Sequence, residues 1–306
     1  MAHRLLALND TPSHSGVVST QMPASVPCPN CKNDIPQPAV HCPHCGQPSG
    51  IYWNVWEADE PAERAALEAR YVRAMGDATS RGANVQVQGF EDAIVDSKAV
   101  LARSESEVLR LATSTKQLYT TYYKQLEAGL KLPDGGEWDR VREITDTILF
   151  PMYKGEIRFA ALSLNDIGLS SYGSCSISLR TDLISYRASV LEENSVLFVE
   201  RHDIKASRPP NIPEGFRASW DNRAKLCVSK LAAKIDSSTL ANQYSGILLK
   251  QGATSNDDEF IEVHIWGSIS ALTMEKVTVT VTNKRQRATI VKALRSKLAV
   301  HGVTIV

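Results

Sequence analysis

The sequence lacks the patterns that mark several large classes of protein. Its 306 residues contain no apolar run of about 18 residues, the length that a membrane-spanning helix requires. They contain no Gly-x-Gly-x-x-Gly after a strand, no phosphate-binding loop and no His-Glu-x-x-His helix. The formal net charge is zero, with 34 basic and 34 acidic residues, so no overall field draws the chain to nucleic acid or to an anionic membrane. We therefore expect no membrane partner, and we disfavour the classical nucleotide-binding folds and zinc proteases.

Cysteine is scarce as well, but four of the six cysteines form two Cys-x-x-Cys pairs. The paired residues are Cys28, Cys31, Cys42 and Cys45. Two such pairs complete a tetrahedral four-thiolate shell that leaves no position for water or substrate, so the spacing predicts a structural zinc site in a zinc ribbon. Gly46 occupies a turn position that needs a positive φ. His41 and His44 are alternative ligands, and four unrelated buried cysteines are the disfavoured alternative.

Only Cys175 and Cys227 lie outside the two pairs. Spacing of the metal-binding type fits a reducing compartment better than a disulfide framework does. The first ten residues hold only a short apolar stretch, Leu5 to Leu8, and we read no signal peptide in them. We therefore expect a cytoplasmic protein.

Changes of composition divide the chain into four predicted segments. Residues 1–26 are rich in Ser, Thr, Pro and His and predict a disordered tail, and residues 27–50 form the zinc ribbon. Residues 51–135 carry apolar residues at helical spacing, with a helix start at Asp59 to Pro61, and predict a helical spacer or bundle. The turn sequence Leu132 to Gly136 ends this segment, and residues 136–306 form the last predicted domain.

The last segment mixes strand and helix patterns and predicts an α+β fold. Its predicted strands are Ile157 to Leu164, Ser174 to Leu179, Val196 to Glu200, Gly246 to Lys250, Phe260 to Trp266, Val277 to Val281 and Val303 to Val306. Its predicted helices are Glu137 to Phe150, Trp220 to Ile235 and Arg285 to Val300. The last of these is strongly basic, which favours a solvated face, with phosphate contact as the minority interpretation.

The strand from Phe260 to Gly267 is the strongest catalytic candidate. The period of two puts Ile261, Val263 and Ile265 on one face, and it puts Glu262, His264 and Trp266 on the other. A carboxylate, an imidazole and an indole thus share one surface. The alternative is a half-exposed strand whose polar face is merely solvated.

Residues 157–195 supply a second set of candidates. An arginine on a sheet, such as Arg158 or Arg187, can bind phosphate through its planar fork, and the Tyr172-Gly173 turn can bring an aromatic ring close to a ligand. Each residue taken singly is a weak signal, because a lone Arg or Tyr is more often a surface or core residue. For Cys175, the favoured interpretation is a small core residue in an alternating strand, and a nucleophile is the disfavoured alternative.

The order of these pieces resembles a group of bacterial proteins whose C-terminal domain is similar to ADP-ribosyltransferase toxins. The likeness covers residues 157–281 and is carried by short motifs. They are Phe159 to Leu162, Gly168 to Gly173, Leu179-Arg180, Tyr186 to Ser189, Asn194-Ser195 and Glu262 to Gly267.

The resemblance implies a split sheet that grips NAD and transfers ADP-ribose to a nucleophile with release of nicotinamide. Glu262 is then the carboxylate that stabilises the oxocarbenium-like transition state, and His264 orients the ribose or accepts a proton. For the ribose or diphosphate anchor, Arg158 is the first choice and Arg187 the second. Tyr172 stacks on nicotinamide. The zinc ribbon and spacer bring this domain to its target, as in a bacterial toxin or defence effector.

Two departures from the transferase pattern leave other functions open. There is no Ser-Thr-Ser triplet, and Phe260 stands where many members carry Glu or Gln two residues before the catalytic glutamate. The acceptor is therefore open between protein side chain, nucleic acid and water. A catalytically inactive fold is also open: a zinc-ribbon module that binds nucleic acid or a protein partner.

Overall fold

A computed structural model of the chain describes residues 25–306 except 29, 37–38, 120, 122, 125–136 and 207–210. Most of the predicted tail and the predicted break at Leu132 to Gly136 lie outside the described residues. The three boundaries between the four predicted segments stay predictions. None of the described helices is both long enough and apolar enough to cross a membrane.

The described chain alternates helices and strands along most of its length. The α-helices are α1 (Trp53–Ala58), α2 (Pro61–Ser80), α3 (Asn84–Ile94), α4 (Glu105–Leu111), α5 (Glu137–Leu149), α6 (Thr181–Ile184), α7 (Ser195–Arg201), α8 (Arg223–Leu231), α9 (Tyr244–Leu248) and α10 (Lys284–Leu298). The strands are β1 (Ser25–Pro27), β2 (Asp34–Pro36), β3 (Lys98–Arg103), β4 (Ile157–Ser163), β5 (Cys175–Leu179), β6 (Ala188–Leu191), β7 (Arg217–Ser219), β8 (Leu249–Lys250), β9 (Glu259–Phe260), β10 (Glu262–Trp266), β11 (Met274–Val279) and β12 (Thr304–Ile305).

Eight of these strands form one sheet in the order β12-β11-β5-β3-β4-β10-β6-β7. Neighbouring strands are antiparallel except for β11 and β12, which are parallel. Two short hairpins, β1–β2 and β8–β9, lie outside it. The predicted mixture of helices and strands is therefore confirmed as α+β, with a large and mostly antiparallel sheet.

The sheet opens between β3 and β4, two of its central strands. They pair only from Lys98 to Val100, opposite Ala161 to Ser163. The rest of β3 pairs with β5 alone, down to Arg103 opposite Cys175, while β4 continues to Ile157 beside β10. The diverging ends leave a gap between the two strands.

The prediction of a helical spacer or bundle over residues 51–135 is wrong at β3. Lys98–Arg103 is a central strand, with Ala99 to Ala102 buried. The periodicity of a short continuous apolar run does not distinguish a buried helix from a buried strand. Here the segment is a strand because it pairs with β4 on one side and β5 on the other. The helix start at Pro61 is confirmed by α2.

The prediction of a strand at Val196 to Glu200 is also wrong, because this segment is α7. The Asn194 side chain accepts hydrogen bonds from the amides of Val196 at 2.9 Å and Leu197 at 3.4 Å and so caps the helix N-terminus. Most of the predicted strand at Gly246 to Lys250 is helix α9, and only Leu249–Lys250 is extended.

The two faces of the sheet carry different cores. On one face, Val263 and Ile265 of β10 belong to a large cluster with Leu67 of α2, Phe90 of α3 and Leu226 of α8. On the other face, a smaller cluster joins Cys28, Ile35, Cys42 and Trp53 to Phe150, Tyr153, Ile157 and Trp266. The N-terminal cysteine segment therefore shares a core with residues of this face of the sheet.

Candidate functional site

Strand β10 places Glu262 and His264 on the same side of the sheet, as its alternation predicts. Glu262 lies opposite Ala161 of β4 and Leu191 of β6, and His264 lies opposite Phe159 and Ser189. Both side chains are buried, with only 3% and 4% of their residue surface exposed. The alternative of a solvated polar face is therefore excluded for these two residues.

Glu262 is held by three donors at one carboxylate oxygen. Its Oε2 accepts hydrogen bonds from the Ser195 amide at 2.9 Å, from the Ser195 hydroxyl and from His264 Nε2 at 3.1 Å. Its Oε1 accepts none from any described residue and lies 4.0 Å from Nη1 of Arg142. This arrangement fixes the carboxylate and leaves one oxygen for a ligand.

These contacts keep Glu262 ionised in spite of its burial. Burial raises the pKa of a carboxyl group, but the hydrogen bond from His264, the charge of Arg142 and the Ser195 donor together lower the pKa of Glu262 below its ordinary value of 4.5. A buried carboxylate that stays charged at neutral pH is suited to stabilise developing positive charge.

His264 contacts Glu262 but does not line the cavity beside it. The imidazole lies edge-on to the rings of Phe150 and Phe159, with centroids 4.8 and 5.4 Å away. It is not among the residues that line the cavity at Glu262. The structure thus brings the predicted pair together and gives His264 a positioning contact.

A cavity of about 210 Å³ fills the gap between β3 and β4. Its walls combine an apolar strand surface with a small set of polar side chains. The lining residues are Val100, Leu101, Ala102, Arg103, Tyr119, Arg142, Phe159, Ala160, Ala161, Leu169, Tyr172, Asn194, Phe260 and Glu262. Apolar walls with a few convergent polar groups are typical of small-molecule sites.

The Tyr172-Gly173 turn lies at this cavity, as the sequence predicts. The Tyr172 residue is 46% exposed, so its ring is available at the cavity edge. Gly173 has a φ of 147°, and a Cβ atom there would lie 2.1 Å from the carbonyl carbon of Arg103. Only glycine permits the turn to approach β3 this closely.

Arg103 and Tyr119 form a second pair at the cavity that the sequence did not single out. The Arg103 guanidinium lies over the Tyr119 ring, 4.5 Å from its centroid, and donates a hydrogen bond to the Tyr119 hydroxyl. Arg103 also lies 3.7 Å from Glu107. The only feature of the local sequence that marks this position is the apolar run that ends at Arg103.

Arg142 is the second cation at this cavity that the sequence did not single out. It projects from α5 over the Phe159 ring, with Cζ 3.7 Å from the centroid. Its Nε lies 3.0 and 3.2 Å from the two carboxylate oxygens of Asp146. Nothing in the local sequence of an amphipathic helix distinguishes such a residue from a solvated one.

Arg158 lies in a neighbouring cavity of about 230 Å³ and not in the first. The second cavity is lined by Tyr119, Thr121, Tyr123, Arg142, Asp146, Ile157, Arg158 and Phe159. Arg158 donates to the carbonyl oxygen of Glu156 at 2.9 Å and to that of Tyr119 at 3.4 Å. The two cavities share Tyr119, Arg142 and Phe159 as a common wall.

Arg187 lies apart from both cavities. Its guanidinium donates to the carbonyl oxygens of Leu183 at 2.9 Å, Ser268 at 3.2 Å and Trp266. These contacts brace the end of β10 that is remote from Glu262. The structure therefore gives Arg187 a bracing role and does not bring it to the predicted ligand.

The four paired cysteines converge on one point. Their sulfur atoms all lie within 4.8 Å of one another, close enough to hold a metal ion. Two of the sulfur pairs are Cys28–Cys45 at 3.8 Å and Cys31–Cys42 at 3.6 Å. Gly46 has a φ of 69°, as predicted.

Backbone and side-chain amides surround these sulfurs. The Cys31 amide lies 3.5 Å from Cys28 Sγ, and the Asn30 side-chain amide lies 3.6 Å from Cys45 Sγ. The hydrogen bond from the Cys31 amide is the main reason that the pKa of Cys28 falls to about 6. Such donors favour the thiolate form that a metal requires.

Helix α1 joins the cysteine segment to the candidate site. The Trp53 indole donates to the carbonyl oxygen of Ala39 at 3.2 Å. The next residue, Asn54, donates to the carbonyl oxygen of His264 at 3.0 Å and to the Ser189 hydroxyl at 3.2 Å. One short helix thus contacts both the cysteine segment and the strand that carries Glu262.

A second group of metal-type side chains is less suited to a cation. The ligand atoms of Glu192, Glu193 and His202 lie within 4.8 Å of one another. However, Glu192 pairs with Arg70 and lies near Lys230, and Glu193 pairs with Arg201 at 2.9 Å. Three cations already neutralise the two carboxylates, so a further cation would be repelled.

No protein-family model matches this chain, and no curated protein matches it. The likeness to ADP-ribosyltransferases therefore depends on the motifs of this sequence alone.

Proposed function

We propose that the chain is an ADP-ribosyltransferase-like enzyme that cleaves NAD in the cavity between β3 and β4. The observation that carries this proposal is the buried Glu262, which three donors at Oε2 keep ionised while Oε1 stays without a hydrogen-bond donor among the described residues. The opening of the sheet at this point supports the split sheet that the resemblance implies.

The proposed reaction breaks the bond between ribose C1′ and the nicotinamide nitrogen. The electron pair leaves with nicotinamide, which becomes neutral, and positive charge develops on the ribose. Glu262 stabilises this charge electrostatically and accepts a hydrogen bond from a ribose hydroxyl through Oε1. The nucleophile then forms the new bond to C1′ and loses its proton. Tyr172 at the cavity edge packs against the nicotinamide ring.

We further propose that the four cysteines bind one structural zinc ion. A zinc ion about 2.3 Å from four tetrahedral sulfurs gives sulfur–sulfur distances of about 3.8 Å. The two pairs at 3.8 and 3.6 Å fit this geometry. A zinc ion with four thiolates supplies cross-linking of the two turns and leaves no open position for chemistry.

The test of the enzymatic proposal is release of nicotinamide from NAD by the purified zinc-loaded chain, with water as the acceptor. Glu262→Gln keeps the shape of the side chain and removes its charge, so we expect release to fall at least about 100-fold. Glu259→Gln, an exposed glutamate on the preceding strand, is the matched control and should retain the wild-type rate. Equal rates in the Glu262→Gln variant and the wild type would refute the proposal.

The second candidate function is a binding module without catalysis, and helix α10 favours it. This helix has no acidic residue, and its exposed Lys284, Arg285, Lys292 and Arg295 form no ion pair with described residues. A basic stripe of this kind attracts the phosphates of nucleic acid, and its binding weakens steeply with salt. Under this alternative, Glu262→Gln leaves binding unchanged, whereas Lys292→Gln weakens it.

A further inference from the structure

The hairpin β8–β9 borders the cavity between β3 and β4, and the proposed mechanism does not use it. Its second strand ends one residue before β10 and places Phe260 in the cavity wall. Phe260 forms a small separate core with Ala161 and Leu169, two other residues of the wall, and Leu249 of β8 packs against this core. The hairpin therefore builds part of the cavity and meets the chain at Leu169, three residues before Tyr172.

Asp258 in this hairpin is a buried carboxylate with three hydrogen-bond donors, and only 4% of the residue is exposed. Its Oδ1 accepts from the Gly252 amide at 2.8 Å and from the Gln251 side-chain amide at 3.0 Å. Its Oδ2 accepts from the Ser171 hydroxyl at 2.8 Å. The donors offset the cost of burying the charge, and the third of them links the hairpin to the residue before Tyr172.

Gln251 forms a second link between the hairpin and the Tyr172-Gly173 turn. Its Oε1 accepts hydrogen bonds from the Ser170 amide at 2.7 Å and from the Ser170 hydroxyl at 3.1 Å. Its Nε2 donates to Asp258, so the side chain is held from the hairpin side. On the other side of the turn, Gly173 lies close against β3. The two residues before Tyr172 are thus bound to the hairpin, and the residue after it lies against β3.

We infer that Asp258 and Gln251 are positioning residues, which hold the Tyr172 ring at the cavity edge for contact with a planar group of the ligand. Because 46% of the Tyr172 residue is exposed, packing against the rest of the protein does not hold the ring by itself. A turn that is already ordered loses less conformational entropy when the ligand binds. The identification of the planar group as the nicotinamide of NAD rests on the proposed function.

The experiment removes the two links at exposed positions, so the core stays unchanged. Gln251→Ala removes the acceptor of the Ser170 amide and hydroxyl, and Ser171→Ala removes the hydroxyl that reaches Asp258. We expect KM for NAD to rise at least about fivefold in the double variant while kcat stays within about twofold, because a ring that packs on the bound ligand stabilises the ground and transition states alike.

Thr254→Ala is the matched control in the same hairpin. The Thr254 hydroxyl is exposed and donates to Asp257 at 2.8 Å without reaching the Tyr172-Gly173 turn. This variant should keep the KM and kcat of the wild type.

The same double variant is then made in a Tyr172→Ala chain, which separates positioning from a general loss of structure. Tyr172→Ala alone should raise KM at least as much, and loss of the two links should then raise it no further, because the links act through the ring. The inference is overturned if the double variant keeps the KM of the wild type, or if it raises KM by the same factor with and without the Tyr172 ring.

These outcomes are distinct from failure of the proposed function. If the wild type releases nicotinamide and its KM does not depend on the links, the inference falls and the reaction stands. If the wild type releases none, the reaction falls, and calorimetry with free nicotinamide decides the inference. Binding that weakens in the double variant only when Tyr172 is present supports it, and lack of binding by the folded wild type overturns it.

Discussion

At the residue scale, the candidate site depends on how Glu262 keeps a negative charge while it is buried. Three donors converge on one carboxylate oxygen, and two of them belong to Ser195. The backbone amide of Ser195 is present in any substitution, whereas the hydroxyl can be removed alone. Ser195 therefore offers a way to change the pKa of Glu262 without changing the carboxylate.

Ser195→Ala should raise the pKa of Glu262, because a donor to the charged form is lost while the burial remains. The pKa of this carboxyl in the folded state lies below 4.5. Its contribution to the stability of the fold is therefore present above the pKa of the unfolded state, and it is lost as the pH falls through the pKa of the folded state. We expect nicotinamide release by the wild type to decline on the acid side only below about pH 4.5. In the variant this decline should begin at higher pH.

The measurement is the pH profile of nicotinamide release, with circular dichroism at each pH to exclude unfolding. Ser229→Ala, whose hydroxyl donates to Lys225 within α8, serves as the control and should leave the profile in place. Identical acid limbs for the Ser195→Ala variant and the wild type would contradict the assigned role of this hydroxyl.

At the element scale, the start of α7 determines where Ser195 lies. Asn194 caps this helix through its side-chain oxygen and also lines the cavity at Glu262. The helix was predicted as a strand because its β-branched and apolar residues favour both structures, and the capping residue decided between them. The strand β10, by contrast, follows its period-two pattern because both of its faces are packed.

Asn194→Ala should lower the free energy of unfolding by about 1 kcal/mol and also reduce nicotinamide release. The second effect is expected because the first turn of α7 presents Ser195 to Glu262. Asn283→Ala removes the equivalent cap of α10, where Asn283 accepts from the Gln286 amide at 3.0 Å. Denaturant unfolding should show similar losses for both variants, and only Asn194→Ala should lose activity. Equal nicotinamide release by the two variants would show that the α7 cap does not affect the site.

At the scale of the whole molecule, the cysteine segment is part of the support of the site. The sequence predicted that the zinc ribbon, together with the spacer, brings the last domain to its target. In the structure Cys28 and Cys42 share a core with Trp266 and Phe150, and Asn54 of α1 contacts the backbone of His264. Targeting through this segment remains a proposal, but its contact with α1, which in turn contacts β10, is a feature of the structure.

Loss of the metal should therefore destabilise the candidate site. We expect one zinc ion per chain, and we expect Cys42→Ala or chelation to lower the melting temperature and to reduce protection of β10 amides in hydrogen exchange. Acid should release the ion as the thiolates take up protons, so metal content should fall as pH is lowered. Cys227→Ala, at a buried cysteine of α8, is the control and should keep the zinc content. Unchanged protection of the β10 amides in a metal-free chain would show that β10 does not depend on the cysteine segment.

The sequence by itself determined what depends on short spacing. The two Cys-x-x-Cys turns converge because two residues of separation suffice to direct two sulfurs at one point, and Glu262 and His264 share a face because a strand repeats every two residues. Only the tertiary structure decided that Lys98–Arg103 is a central strand and that Arg142 and Ser195 reach Glu262. The contacts of Arg142 and Ser195 with Glu262 join residues that lie 67 or more positions apart in the chain, and their energy comes from partners on other elements, which no local pattern specifies.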